Sequence, residues 1–532
     1  MFTAMVLIGL PFSFIPMRHV QAAAGDLDPT FGTGGKVTTD FAALADVAQS
    51  LAVQSDGRII AAGYAEMSSS NIDFALARYN IDGSLDLTFG SGGKVTTDFF
   101  GSADFAYAVA LQSDGRIVAV GNAFGSKGTN SNFAIARYNT DGSLDSSFGT
   151  AGKVVTDFFG LFDEAHAVKI QLDGKFVVAG FSGVGQSFDF GLARYNTNGS
   201  LDSTFGSEGK VTTDFSGNSD GAFGIAIQPD GKIIAGGKTS APDDFALARY
   251  NTDGSLDSTF GLGGKVSTDF FGSTDEAHAL VLQPDARIIA VGFAGGSPGL
   301  SFALARYNSD GSLDSAFGAG GKTTTAFGGS GQQGFAVALQ PNSKIVAAGS
   351  AFFGPSMGGT ANFAIARYNS NGSLDSTLGS DGKVITDFSS QDGARALALQ
   401  TDGRIVAAGF ALSDGNGFDF ALARYGGDPP PGPGFDTCLQ DESNGNLLQF
   451  NSTTGDYQFT NCSGITLGGT GVLTRRGGII TLEQYGPDRR VLARIDGGVN
   501  KGTASVQILS PGTTFTITDR NTLNNTCSCV AQ

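Results

Sequence analysis

Two histidines stand in the same phrase, Asp-Glu-Ala-His, at His166 and His278; with His19 near the N-terminus they make up the imidazole content of the chain. Imidazole titrates near neutral pH, so the acids beside each (Asp163 and Glu164, Asp275 and Glu276) set up a general base or a metal site. Both histidines occupy one column of a long repeat, whose other members are Gln49, Tyr107, Phe223, Phe335 and Arg395. The surroundings of this column hardly change between copies, while the column itself changes its chemistry each time. The plainer reading is preferred: these side chains fill the seams between repeat units, because strict alternation along a strand puts Tyr107 on the face of Val109 and Leu111. The seven are candidate ligand-binding residues, and no catalytic residue, metal or cofactor is expected.

The other chemistry-bearing phrases read as structure. The Arg of Ala-Arg-Tyr recurs at Arg78, Arg137, Arg194, Arg249, Arg306, Arg367 and Arg424. An Asp closes the short Lys-Val-Thr-Thr-like runs at Asp40, Asp98, Asp157, Asp214, Asp269 and Asp387, and Ala326 breaks the series. Residues repeated in every unit do not suit catalysis, and the two runs predict adjacent strands with a cross-strand ion pair. Asn-Thr-Asp-Gly-Ser-Leu-Asp has some likeness to a calcium loop, but the place of the first ligand holds the Arg of each copy, and a guanidinium cannot ligate a cation. It reads as a turn. Gly-rich stretches before the Lys have no following helix and no Walker pattern, so they too are turns. No nucleophile elbow or zinc-protease motif is present.

The formal charge of −17 in 532 residues opposes a phosphate backbone, so no nucleic-acid partner is expected. Gly numbers 80, but 43 Phe supply apolar bulk for a core, so the glycines read as turns of a β-rich chain. Residues 1–24 contain a short apolar run and an Ala22-x-Ala24 pattern before Gly25, as in a secretory signal peptide, although no Lys or Arg precedes the run. No later stretch is long enough to span a membrane as a helix. Cys438, Cys462, Cys527 and Cys529 fall in the last part of the chain. An even count in a small exported domain favours disulfides over zinc.

The Ala-Arg-Tyr phrases are spaced 55 to 61 residues apart. Each unit holds four alternating runs; in the copy that contains Tyr107 these are Ala106–Gln112, Arg116–Gly121, Phe133–Tyr138 and Lys153–Phe158, joined partly by Asp-Gly turns. This predicts an all-β, seven-bladed β-propeller of four-stranded blades over residues 25–425. Ala106, Ala108 and Ala110 give one small face, suited to the crowded axis; the Lys-containing run suits an outer edge. The first copy begins with an outer strand, Lys36–Phe41, and the last stops at Tyr425, so the ends complete one blade and close the ring. Residues 426–434 form a Pro/Gly linker, and 435–532 read as a small, disulfide-bonded, sandwich-like β domain.

The phrases Leu201–Phe215, Ala108–Gly121 and Phe245–Asp257 resemble the delta-60 repeat. That resemblance implies a β-propeller and an exported bacterial setting, and brings no catalytic residues. The expected protein is secreted, at the cell surface or periplasmic, a monomer, and a non-enzymatic module for an extracellular glycan, peptide or protein. The alternative is a propeller hydrolase or lyase acting near His166 and His278. Turns after the first and third strands are uniform, whereas the other connections differ in length and chemistry, which places binding at the channel mouth on the variable face.

Overall fold

Alternating apolar runs joined by tight turns fold each repeat into an antiparallel meander. The computed structural model describes residues 22–428 except positions 43, 70, 126–129, 216, 218, 241–242, 297–298, 355–358, 389–390 and 414–416, and past 436 the backbone of nine strands. By internal contacts the chain divides into two units after Asp428. The first unit consists of seven four-stranded sheets. Blade 2 pairs Asp104–Leu111, Ile117–Phe124, Ser131–Tyr138 and Lys153–Thr156 in that order. First strands of successive blades touch one another around the axis, and that of blade 1 (Asp46–Val53) touches that of blade 7 (Asp392–Leu399). The expected strand order, inner to outer, is the observed one.

Core formation is shared between neighbours. Ile60 and Leu76 of blade 1 pack with Ile117 and Ala134 of blade 2, and the same pattern recurs at the other seams. Fully buried Tyr79 donates its hydroxyl to Thr39 of the preceding blade at 2.9 Å. Closure follows the reading from the ends: Lys36–Thr39 pairs antiparallel with Phe418–Tyr425 in the register Lys36↔Ala423 to Thr39↔Phe420. Ala24, the last residue of the expected leader, accepts a hydrogen bond from Gly379 N–H, and Gly25 N–H donates to Gly426. The leader residues 1–21 lie outside the described residues.

The expected Arg–Asp pair has a different acid. Arg78 Nε donates to Asp86 Oδ2 at 2.8 Å, not to Asp98. Asp86 belongs to the long connection after the third strand, which folds back so that its N–H donates to Arg78 O. The clasp recurs at Arg137–Asp145, Arg194–Asp202, Arg249–Asp257, Arg306–Asp314 and Arg367–Asp375. In blade 7 the N-terminal Asp28 serves Arg424, at 2.9 Å. Each of these guanidiniums is buried, so full pairing is needed to hold it there. Arg78 also donates to Thr140 O in the turn of the next blade and lies over the Phe89 ring. Asp98 instead accepts from Gly101 N–H, and its carbonyl from Lys153 Nζ at 2.9 Å.

In the second unit seven strands form one antiparallel sheet and Val472–Arg476 pairs with Ile479–Glu483 as a hairpin. Cys462, Cys527 and Cys529, the side chain of Cys438 and linker residues 429–434 lie outside the described residues. The disulfides and sandwich-like packing remain expectations.

Candidate functional site

All seven column residues sit at a β-bulge of the innermost strand. Register slips between Ala106 and Ala108, leaving Tyr107 unpaired, and does the same around Gln49, His166, Phe223, His278, Phe335 and Arg395. One extra residue reverses the alternation and re-aims a side chain. Accordingly Ala106, Val109 and Leu111 pack at the seam between blades 1 and 2, whereas Ala108 and Ala110 pack between blades 2 and 3. The expectation of one alanine face, and of Tyr107 sharing the face of Val109, is corrected by this slip. The glycine at the middle of each second strand accommodates the bulge. A Cβ on Gly121 would stand 1.8 Å from Phe105 O, and one on Gly292 1.7 Å from Glu276 O.

The bulges turn the seven side chains onto the wall of one axial cavity of about 450 Å³. Six of them form a continuous arc. Tyr107 stacks on His166 (ring centroids 4.6 Å), His166 meets the edge of Phe223 (5.1 Å), and Phe223 stacks on His278 (4.9 Å). His278 meets Phe335 at 5.0 Å, and the Arg395 guanidinium lies 4.1 Å from the centre of the Phe335 ring. Every one of these contacts crosses a seam, so the seam-filling reading holds in part, while the same side chains also line the channel.

Phe223 separates the two histidines, so they do not converge on one metal. Each has its own glutamate: His166 Nε2 lies 3.5 Å from Glu164 Oε2, and His278 Nε2 lies 3.3 Å from Glu276 Oε2. Neither contact has hydrogen-bond geometry, and both Nε2 atoms are buried without a hydrogen-bond partner. The other acids of the phrase face elsewhere, Asp163 accepting from Phe158 N–H and Asp275 from Phe270 N–H. Burial lowers the His278 pKa, against the opposing pull of Glu276. Burial alone would raise the Glu276 carboxyl, but His278 and Lys238, the latter 2.6 Å away, bring it below its ordinary value.

Arg395 differs from every clasp arginine. It has no carboxylate partner among the described residues, and its Nε is buried without a hydrogen bond. Burial lowers its pKa to about 10, which still leaves it charged at neutral pH. Lys169 also lines the channel; its surface is open to the lumen, yet the enclosing wall lowers its pKa by desolvation. A second tier escaped the sequence reading. The residue after each second-strand glycine (Tyr64, Asn122, Phe181, Lys238, Phe293, Ser350, Phe410) also varies, and Phe181, Phe293 and Phe410 lie 5.5, 5.5 and 5.4 Å from His166, His278 and Arg395. Its signal was present: a variable position next to a glycine that interrupts a strand.

A family described as a domain of unknown function (DUF5122) beta-propeller matches residues 54–89, 112–148, 171–205, 228–260, 283–317, 340–378 and 400–428. The chain carries seven DUF5122 beta-propeller repeats. Each matched segment holds the second and third strands and, in the first six, the clasp aspartate, and none includes a residue of the channel column. No curated protein matches the chain. Among solved structures, it is similar to a streptogramin B lyase (11% identity over 73% of this chain and 96% of that one, TM-score 0.39). It is also similar to polysaccharide lyase Uly1 (11%, 76% and 97%, TM-score 0.42) and to a protein of unknown function from Dyadobacter fermentans (10%, 73% and 98%, TM-score 0.38). At these values no activity passes from them to this chain.

Proposed function

We propose that this DUF5122 propeller is a non-enzymatic binding module whose ligand enters the channel at the variable face. The ligand presents ring faces to the Tyr107–Phe335 arc and an anionic group to Arg395. One observation carries this: a channel-lining guanidinium with its Nε buried and no carboxylate partner among the described residues, in a protein of net charge −17 whose seven recurring Ala-Arg-Tyr arginines are each clasped to an acid. A desolvated cation without a counter-charge is unfavourable unless a ligand completes its shell. The delta-60 resemblance and the leader-like N-terminus favour an exported monomer, secreted, at the cell surface or periplasmic, with an acidic glycan or a carboxylate-bearing peptide as the ligand class. The test is an array of neutral and acidic glycans and peptides probed with the full chain. Capture of acidic members that is lost in Arg395→Met supports the reading; capture unchanged in both Arg395→Met and Tyr107→Ala overturns it.

The glutamate beside His278, whose pKa burial lowers, favours a second reading, a hydrolase or lyase with His278 as general base. Cleavage of an array-selected ligand that His278→Ala abolishes without loss of binding would support it.

A further inference from the structure

Away from the channel, the seams between blades gather acids from three strand ends. Asp73 precedes the core of the third strand of blade 1, Asp98 follows its outer strand, and Asp104 opens the inner strand of blade 2. One oxygen from each comes within 4.8 Å of the others, and the same holds for Asp189, Asp214 and Asp220, for Asp244, Asp269 and Asp275, and for Asp419, Asp40 and Asp46. Three carboxylates this close repel unless something positive lies between them. The lysine at each seam does not do this by direct pairing: Lys153 and Lys322 bond the backbone carbonyls of Asp98 and Asp269.

Two further observations point to a ligand. The Asp244 side chain is only 7% exposed, and its Oδ1 is buried without a hydrogen bond. Asp46 and Asp104 are wholly buried; each accepts one backbone N–H on Oδ2, and each leaves Oδ1 buried and unpartnered. The chain also carries its own control. At the seam of blades 5 and 6 the three equivalent positions hold Ser301, Ala326 and Gln332, so all three acids are replaced together. Loss as a set is what a shared ligand predicts and what three separate turn-forming roles do not.

We propose that these four seams bind divalent cations of the calcium class, which staple each blade to the next. Calcium takes six to eight oxygen ligands at about 2.3–2.6 Å in flexible geometry, whereas magnesium demands a near-ideal octahedron at about 2.0–2.1 Å and keeps its waters, so irregular carboxylate clusters at strand ends suit calcium better. Three carboxylates, of which Asp40, Asp98, Asp214 and Asp269 are solvent-exposed, leave places for water in the shell. Seams with Asn132 and Asn362 in the first position carry one charge fewer and bind more weakly. This departs from the sequence reading, which expects no metal.

The test is calorimetric titration of the chelator-treated full chain with calcium chloride and, separately, magnesium chloride, with thermal melts alongside. Four calcium ions per chain, a melting temperature raised by calcium more than by magnesium, and three ions in Asp98→Asn are expected. Asp98 is exposed, so that variant keeps its fold, which circular dichroism checks. Restoring the lost set by Ser301→Asp, Ala326→Asp and Gln332→Asp together adds one ion. A folded, chelator-treated protein that binds no calcium, or a stoichiometry the same in wild type and Asp98→Asn, overturns the proposal and leaves the acids sharing protons instead.

Discussion

The two faces of the propeller use the same residue type in opposite ways. On the face of the long connections, aspartates are clasped by arginine and their pKa values fall; Asp375 drops to about 2, because Lys344, Thr377 and Arg367 outweigh the burial that would raise it. On the opposite face Asp163 is pushed up to about 7, by burial first and by Asp157 as well, with only backbone donors and a lysine to offset them. One face repeats a satisfied Arg–Asp ion pair in every blade; on the other, Asp46, Asp104 and Asp163 are held by backbone N–H donors with no arginine, and the connections differ in length and chemistry. Stability is invested in the clasps, and that frees the opposite face to vary.

Removing the N-terminal segment should break this division most severely. Deleting residues 22–41 takes away the outer strand of blade 7 and the Asp28 partner of Arg424 together. An open edge beside a buried, unpaired guanidinium predicts aggregation and loss of the cooperative melt, read by light scattering and calorimetry. A monomeric truncation with unchanged melting temperature would refute ring closure.

Ring closure was legible because the two chain ends are out of phase with the blade by one strand, and the period itself exposed the fold. The Arg partner was misread because strand adjacency favoured Asp98, while the true partner lies eight residues on in a connection whose return path has no periodic signal. A constant Arg-to-Asp spacing in six copies could have revealed it. The channel column was legible as a variable position in a constant frame. Its direction was not, since a bulge reverses parity and is marked in sequence only by the glycine opposite, as at Gly121 and Phe105.

Acid should act on all the clasps at once. The carboxyls of Asp28, Asp86, Asp145, Asp202, Asp257, Asp314 and Asp375 are all held below the ordinary value, despite burial, by neighbouring hydroxyl or backbone donors and by Arg or Lys. A lowered folded-state pKa gives stability that is complete above the unfolded value near 3.8 and is lost as pH falls through the folded one. Urea midpoints should therefore fall steeply from pH 4 towards pH 2 (the Asp375 range). A midpoint that is flat over this window would show that the clasps do not sharpen stability.

A single clasp isolates one term of that sum. Arg194→Met leaves Asp202 buried with Lys175 at 2.9 Å as its remaining cation, and should destabilise by about 3–5 kcal/mol in urea melts. Replacing both partners, Arg194→Met with Asp202→Leu, should recover most of this, since two apolar groups leave no charge unpaired. Failure of the double variant to recover would locate the loss in packing against Phe205, over which the guanidinium lies at 4.6 Å.

The same substitution in the channel should give the smallest stability effect and the sharpest contrast. Arg395 and Arg194 are both arginines on blade strands, and both lie against phenylalanine, yet only Arg194 has an acid. Methionine at 395 keeps the contact with Phe335, removes an unsatisfied Nε, and strands no carboxylate, because none was paired there. Its urea midpoint should therefore equal or exceed that of the wild type, within about 0.5 kcal/mol of neutral or slightly stabilised. A ligand-binding residue held against stability behaves this way, and a structural one does not. If Arg395→Met instead loses stability on the scale of Arg194→Met, then Arg395 holds the ring of channel side chains together, and the difference between the two faces is one of sequence alone.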